Sequence, residues 1–189
     1  MNLAIICDLN PKSGLGHIRR MRSLFDALKR YVNNCFFIFP RTDWDFVKRH
    51  TAGLQVNYFD PKVDNYVSFA KSLSISIVII DSYKNTCLIE KLFAKENIFS
   101  AVIDDHLRIH CSNIIFNNRA DIASTYLNQN VGKNWFVGPQ YCLVGKAKRR
   151  KRLYESKEKK ILLHAGGASL FRSIRYLCES TILAANKYN

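Results

Sequence analysis

The sequence contains no apolar run approaching the roughly 18 residues that a membrane-spanning helix needs. Its start, MNLAIICDLN, has no basic head, and the apolar stretch stops at Asp8, which argues against a secretory signal. Both absences lead us to expect a cytoplasmic protein with no membrane span. Paired cysteine motifs are missing too. The six cysteines, at 7, 35, 87, 111, 142 and 178, form no CxxC, and Cys7, Cys35 and Cys87 lie inside apolar strand or helix patterns. Buried, reduced thiols are the expectation. The sequence also lacks an HExxH motif and any cluster of Cys and His, so neither a metal nor another cofactor is expected.

Acidic residues are scarce. The chain has 15 Asp and Glu against 29 Lys and Arg, a formal net charge of +14. Half of that excess sits in KAKRRKRLYESKEKK, residues 146–160, where nine Lys/Arg face two Glu. Such a run can attract polyanions. It holds one aromatic, Tyr154, and so lacks the interleaved stacking residues of a single-strand binder. It reads as a solvated basic linker with no specific nucleic-acid partner.

What is present is alternation. Short apolar runs at 3–8, 35–40, 54–59, 75–81, 99–105 and 113–117 read as strands. Between them lie amphipathic stretches. In HIRRMRSLFDALKRY, residues 17–31, Ile18, Met21, Leu24, Phe25 and Leu28 recur at helical spacing. Further helices are expected at DWDFVKRH, at VDNYVSFAKSL and over about 84–97. Continuously apolar strands separated by helices predict an α/β fold with a Rossmann-like parallel sheet covered on both faces. Ligands in such sheets bind at the carboxyl ends of the strands. Several of these strands end on polar residues: Asp8, Asp81, Asp104 with Asp105, and Asn117 with Asn118. Residues 119–145 show a Gly-Pro turn and no clear period. Residues 161–189 repeat the opening order of strand, glycine loop and helix.

The loop KSGLGHIRRMRSL, residues 12–24, is the densest local signal. A helix start offers free N–H groups that suit anions, and Gly14 and Gly16 let a ligand approach the backbone. The dinucleotide fingerprint fails because Arg19 stands where its third glycine belongs, and no GxxxxGK[ST] loop is present. Arg19, Arg20 and Arg22 oppose the helix dipole in its first turns, a conflict that a bound anion or a nearby carboxylate would remove. A solvated face accounts for Arg19 and Arg22. Arg20 stays open as a site residue. His17, directly after a glycine at the helix start, can serve as a proton acceptor or merely as a polar helix-start residue.

Gly14-Leu15-Gly16-His17-Ile18-Arg19-Arg20 resembles the GxGHxxR signature of the UDP-sugar hydrolases of pseudaminic acid biosynthesis. Those enzymes are relatives of the spore-coat polysaccharide proteins and, more distantly, of the GT-B glycosyltransferases. Five further segments resemble that family in order and spacing: IVIIDSYKN (Asp81, Tyr83), VIDDH (Asp104, Asp105), NIIFNN (Asn117), VGPQYCLV (Gly138, Pro139, Tyr141, Leu143) and LLHAGGAS (Gly166, Gly167). The chain departs from the family after Tyr141, where an Arg, a Glu and a Phe are lost, and after the Gly-Gly pair, where Ala168 and Ser169 stand.

The resemblance implies a GT-B-type amino-terminal domain over 1–145, a linker over 146–160, and over 161–189 the first β-α unit of an incomplete UDP-binding domain. It implies hydrolysis of the anomeric C–O bond of a UDP-linked diacetamido-trideoxy sugar, with inversion and without a metal. His17 would orient or deprotonate the attacking water. Gly14, Gly16, Arg20, Asp81, Tyr83, Asp105, Asn117, Tyr141, Gly166 and Gly167 would contact substrate. Two other readings stand beside it: a glycosyltransferase of the same fold using a UDP-sugar donor, and a non-catalytic remnant that binds anionic partners through its positive surface.

Overall fold

The computed structural model describes residues 1–10, 14–40, 44–59, 65–83, 86–119, 128, 134–143 and 179–180. The expected linker and everything assigned to a second domain, including Gly166 and Gly167, lie outside these residues apart from 179–180.

The fold is α/β and Rossmann-like. Seven strands form one all-parallel sheet in the order β3-β2-β1-β4-β5-β6-β7. They span β1 Asn2–Cys7, β2 Asn34–Pro40, β3 Val56–Phe59, β4 Ile75–Asp81, β5 Phe99–Ile103, β6 Ile114–Asn117 and β7 Asn134–Val137. The helices are α1 Gly16–Leu28, α2 Trp44–His50, α3 Tyr66–Ser72 and α4 Thr86–Lys95. The chain winds outward from β1 to β3. It then crosses back through α3 and places β4 on the other side of β1. The crevice between β1 and β4 is therefore the point where strand order reverses, the usual ligand position in open α/β sheets.

Side-chain alternation explains the apolar runs. In β1, Ala4 and Ile6 join one core with Phe36, Ile38, Val78, Ile80, Phe93 and Val102, against α3 and α4. Leu3, Ile5 and Cys7 point to the opposite face and join Ile18, Met21, Phe37, Phe39, Val47 and Ile79, against α1 and α2. A strand buried on both faces must be apolar at every position. Each fully buried Ile or Phe contributes about 1.5–3 kcal/mol of transfer free energy.

One connection departs from the pattern. Parallel strands β5 and β6 are joined by residues 104–113 with no helix between them. The loop is held by buried charge instead. Glu90, on the inner face of α4, accepts N–H bonds from Cys111 at 2.6 Å and Ser112 at 2.9 Å through Oε2, while its Oε1 lies 2.8 Å from His110 Nδ1. His110 Nε2 lies 3.3 Å from Asp104 Oδ2. Asp104 in turn accepts from the backbone N–H of His106 at 3.0 Å and of Arg108 at 2.9 Å. Leu107, between those two donors, is forced to φ +58°, a left-handed backbone that a branched side chain rarely adopts. The carboxylate thus sets the turn, and the turn presents Asp105 and His106 at the carboxyl edge of the sheet.

This cluster makes stability depend on pH in two directions. Burial alone would raise the Glu90 and Asp104 carboxyls. Their bonds from His110 and from backbone N–H groups outweigh it and hold both below the ordinary range. Burial would lower His110, but Asp104 and Glu90 outweigh it and raise the imidazole above its usual 6.5. A depressed carboxyl stabilises the fold above its unfolded pKa, and that contribution is lost as pH falls through the folded value. A raised histidine stabilises the fold below its unfolded pKa, and that contribution is lost as pH rises through the folded value. The unfolding midpoint is therefore expected to plateau between about pH 4.5 and 6.5, the ordinary Glu and His values, and to fall on both sides. Thermal unfolding across pH checks this. His110→Gln should remove the descent that begins above the plateau, and an unchanged alkaline limb would refute the assignment.

Candidate functional site

Because every strand is parallel, the polar strand ends noted in the sequence share one edge. Asp8 follows β1, Asp81 ends β4, Asp104 and Asp105 follow β5, and Asn117 ends β6. The first turns of α1 carry His17 and Arg20 to the same edge. Gly14, at φ +71°, donates its N–H back to Asn10 O at 3.1 Å and closes that loop on itself. Helix α1 then starts at Gly16 with no side-chain cap and no acid in its first turn.

His17 is 2% exposed, and its Nδ1 lies 2.7 Å from Asp81 Oδ1. Arg20 grips the same carboxylate in a fork, with Nε on Oδ2 at 2.6 Å and Nη2 on Oδ1. Its third nitrogen, Nη1, reaches Asp105 Oδ2 at 2.8 Å. Arg20 Nη2 also approaches His17 Nδ1 to 3.2 Å. A guanidinium can only donate, and a ring nitrogen this close to a carboxylate carries the proton. Both groups therefore donate to Asp81, which leaves Nε2 as the ring nitrogen not engaged by the carboxylate. That Nε2 is buried and has no hydrogen-bond partner among the described residues. Burial alone would raise the Asp81 carboxyl, but the His17 and Arg20 bonds and the Arg20 charge outweigh it and hold the group below the usual carboxylate range. Asp81 is thus ionised at neutral pH and positions the imidazole. The conflict between Arg20 and the helix dipole is settled by these two carboxylates.

Tyr83 covers the histidine. Its ring stands edge-on to His17 at 4.3 Å and to His106 at 4.9 Å, and it is 49% exposed. The strand-end turn beneath it is fixed by Asp8, whose Oδ2 accepts from Ser82 Oγ at 3.0 Å and from Tyr83 N–H at 2.7 Å. Burial first, and then the Asp105 carboxylate, push the Tyr83 phenol up, so it stays protonated and able to donate.

Arg20, Asp105 and Tyr141 meet around a cavity of about 70 Å³, with Asn118, Phe116 and Leu143 in its wall. Asn117 itself turns inward: its Oδ1 accepts from Arg119 N–H at 2.9 Å, and its buried Nδ2 has no partner among the described residues. Arg19 and Arg22 stand apart from this edge. They line a separate depression with His50, and Arg22 donates to Ala52 O at 2.9 Å. Of the residues singled out from the sequence, His17, Arg20, Asp81, Tyr83 and Asp105 form one connected set, and Tyr141 joins it through the cavity.

Sequence reading missed His106, Arg108, Glu90 and His110. Glu90 carried a legible signal. In TCLIEKLFAK it occupies the inward position between Thr86 and Phe93, where an apolar residue is expected. A charge at such a position requires a buried partner.

A Cβ built on Gly16 meets no atom within 4 Å. The space over the helix start is open to a ligand, and Gly16 is not required by packing. Gly16→Ala is therefore expected to keep the unfolding midpoint or raise it by up to about 4 °C, since Ala favours a helix over Gly by about 1 kcal/mol. It should weaken binding of any ligand seated on the loop by about tenfold or more, one methyl clash being of order 1–3 kcal/mol. Calorimetric binding with parallel thermal melts separates the two effects.

No protein-family model matches the chain. The chain is 26% identical, over 194 aligned positions, to a protein of Methanocaldococcus jannaschii described as uncharacterized. The alignment covers 89% of this chain and 37% of the archaeal protein, so the chain spans little more than a third of that relative's length. Among the described residues, no helix is long and apolar enough to cross a membrane.

Proposed function

We propose that the chain is the His-bearing part of a UDP-sugar hydrolase that cleaves the anomeric C–O bond of a UDP-linked diacetamido-trideoxyhexose. The observation that carries the reading is the His17–Asp81 pair at the β1/β4 crevice, with its unpartnered Nε2. An imidazole fixed through Nδ1–H, with Nε2 left to face a reacting water, is the arrangement a general base needs. In the proposed step, Nε2 takes a proton from water while the water oxygen bonds to C1. The C1–O bond to the diphosphate breaks with its electrons, so UDP leaves and the sugar inverts at C1. Tyr83 must swing aside for the sugar to reach His17. Its exposed ring makes that movement inexpensive, and its phenol can then donate to the sugar. The open backbone at Gly16 admits the diphosphate to the helix start.

The test is incubation of the chain with the UDP-linked sugar in oxygen-18 water. Expected products are UDP without label and a sugar whose first-formed anomer is inverted by proton NMR. Label in the UDP phosphate means cleavage on the phosphorus side and refutes the reading, as does the absence of UDP release. UDP release that appears only with a sugar acceptor present favours the transferase.

A further inference from the structure

Two of the cysteines meet where the helix-free connection is tied to α4. Cys87 is the second residue of α4, and Cys111 lies near the end of the 104–113 loop. Their sulfurs are 3.4 Å apart and both residues are half-buried. Against the expectation of a buried, reduced thiol, Cys87 is reduced here but only half-buried. The other described cysteines differ: Cys7 and Cys35 are buried in the sheet core, and the Cys142 sulfur, exposed, lies 3.7 Å from Asn118 Nδ2.

We infer that Cys87 and Cys111 are a reversible disulfide-forming pair that staples the 104–113 loop to α4. Three observations carry this. The sulfurs are already in contact, so closing to the bonded length of about 2.05 Å takes rotation of the side chains and little movement of the backbone. Cys111 is held in place independently, since its own N–H is bound by Glu90 Oε2 at 2.6 Å. Glu90 and Cys87 lie three residues apart on α4, hence on one helix face, so the anchor and the partner thiol approach the loop from the same side.

The chemistry needs an oxidant of the disulfide class, such as oxidised glutathione. One thiolate of the pair attacks a glutathione sulfur, forming a mixed disulfide and releasing one glutathione. The second protein thiol attacks the protein sulfur of that adduct and releases the other. Two protein thiols are oxidised, one glutathione disulfide is reduced to two thiols, and two protons pass to them. Burial first, and then the hydrogen bond to Cys111, push the Cys87 thiol up, so less of it is thiolate at neutral pH. Once formed, the bond clamps the loop to α4. Its position gives the clamp a consequence: the loop it closes carries Asp105 and His106 to the edge where Arg20 and Tyr83 lie.

The experiment treats the native full chain with an excess of oxidised glutathione, followed by intact-mass analysis, peptide mapping and thermal unfolding. The expected result is a loss of about 2 Da, a Cys87–Cys111 cross-linked peptide, reversal by dithiothreitol, and a midpoint raised by roughly 5 °C or more. Cys87→Ser and Cys111→Ser should each abolish the mass loss and the rise. The reduced wild type and both variants should melt together, which separates the staple from simple packing loss. The inference is overturned if both thiols stay open to alkylation, if either stops at a glutathione adduct, or if Cys87 is found linked to a different cysteine.

Discussion

His17→Asn is expected to reduce UDP release by about 10²–10⁴-fold, the usual contribution of a positioned base, with little change in the unfolding midpoint. Asparagine suits this test because its side-chain amide places a donor near the original Nδ1. Asp81 would keep that bond as well as the two from Arg20. The lone pair at Nε2 has no counterpart in the variant. Turnover should therefore fall in kcat, with KM nearly unchanged, because the ligand-facing backbone at Gly14 and Gly16 is untouched. Steady-state kinetics and a thermal melt of the same preparation decide it. Full activity would remove His17 from the chemistry. A collapsed melt would make it a structural histidine whose loss disrupts the buried ion pair.

Glu90→Ala is expected to destabilise the chain by about 3–5 kcal/mol, the range for removing one partner of a buried charge pair. The carboxylate does three things at once. It accepts two backbone N–H bonds, from Cys111 and Ser112, and it balances His110. Each orphaned N–H costs about 1–3 kcal/mol when no water replaces the acceptor. Urea unfolding measures the loss, and Glu90→Gln should recover part of it, since a side-chain oxygen remains to accept. A change below about 1 kcal/mol for the alanine variant would mean that the loop is held by other contacts.

The strands and helices with strong periodic signals were legible. β4 was the plainest, because Ile75–Asp81 is apolar on both faces and ends on an acid. Helix α1 was equally plain from Ile18, Met21 and the residues spaced behind them. β7, Asn134–Val137, was not read. It is a four-residue edge strand whose Trp135 and Phe136 are exposed, so burial imposes no continuous apolar pattern on it. Within the site, the strand-end acids and His17 could be read because a parallel sheet gathers strand ends at one edge. The pairing could not. Nothing in the sequence says that Arg20 bridges Asp81 and Asp105, since that choice depends on β4 and β5 being neighbours. The Glu90–His110–Asp104 cluster stayed hidden for the same reason: its members come from a helix, a loop and a strand end.

The strand order also sets a schedule for synthesis. β1 emerges from the ribosome before the other described strands, yet one of its two neighbours, β4, begins at Ile75. At about 5–20 residues per second, translation leaves that side of β1 unpaired for roughly 3–14 s. During this interval Leu3, Ile5 and Ile6 stand on an open strand edge, the kind of surface that recruits other chains. His17 and Arg20 have already been made, but their partner Asp81 has not. The delivery of Asp81 closes the edge and creates the dyad in the same event. A nascent chain stalled before that residue carries an exposed β1 edge and lacks the His17–Asp81 pair.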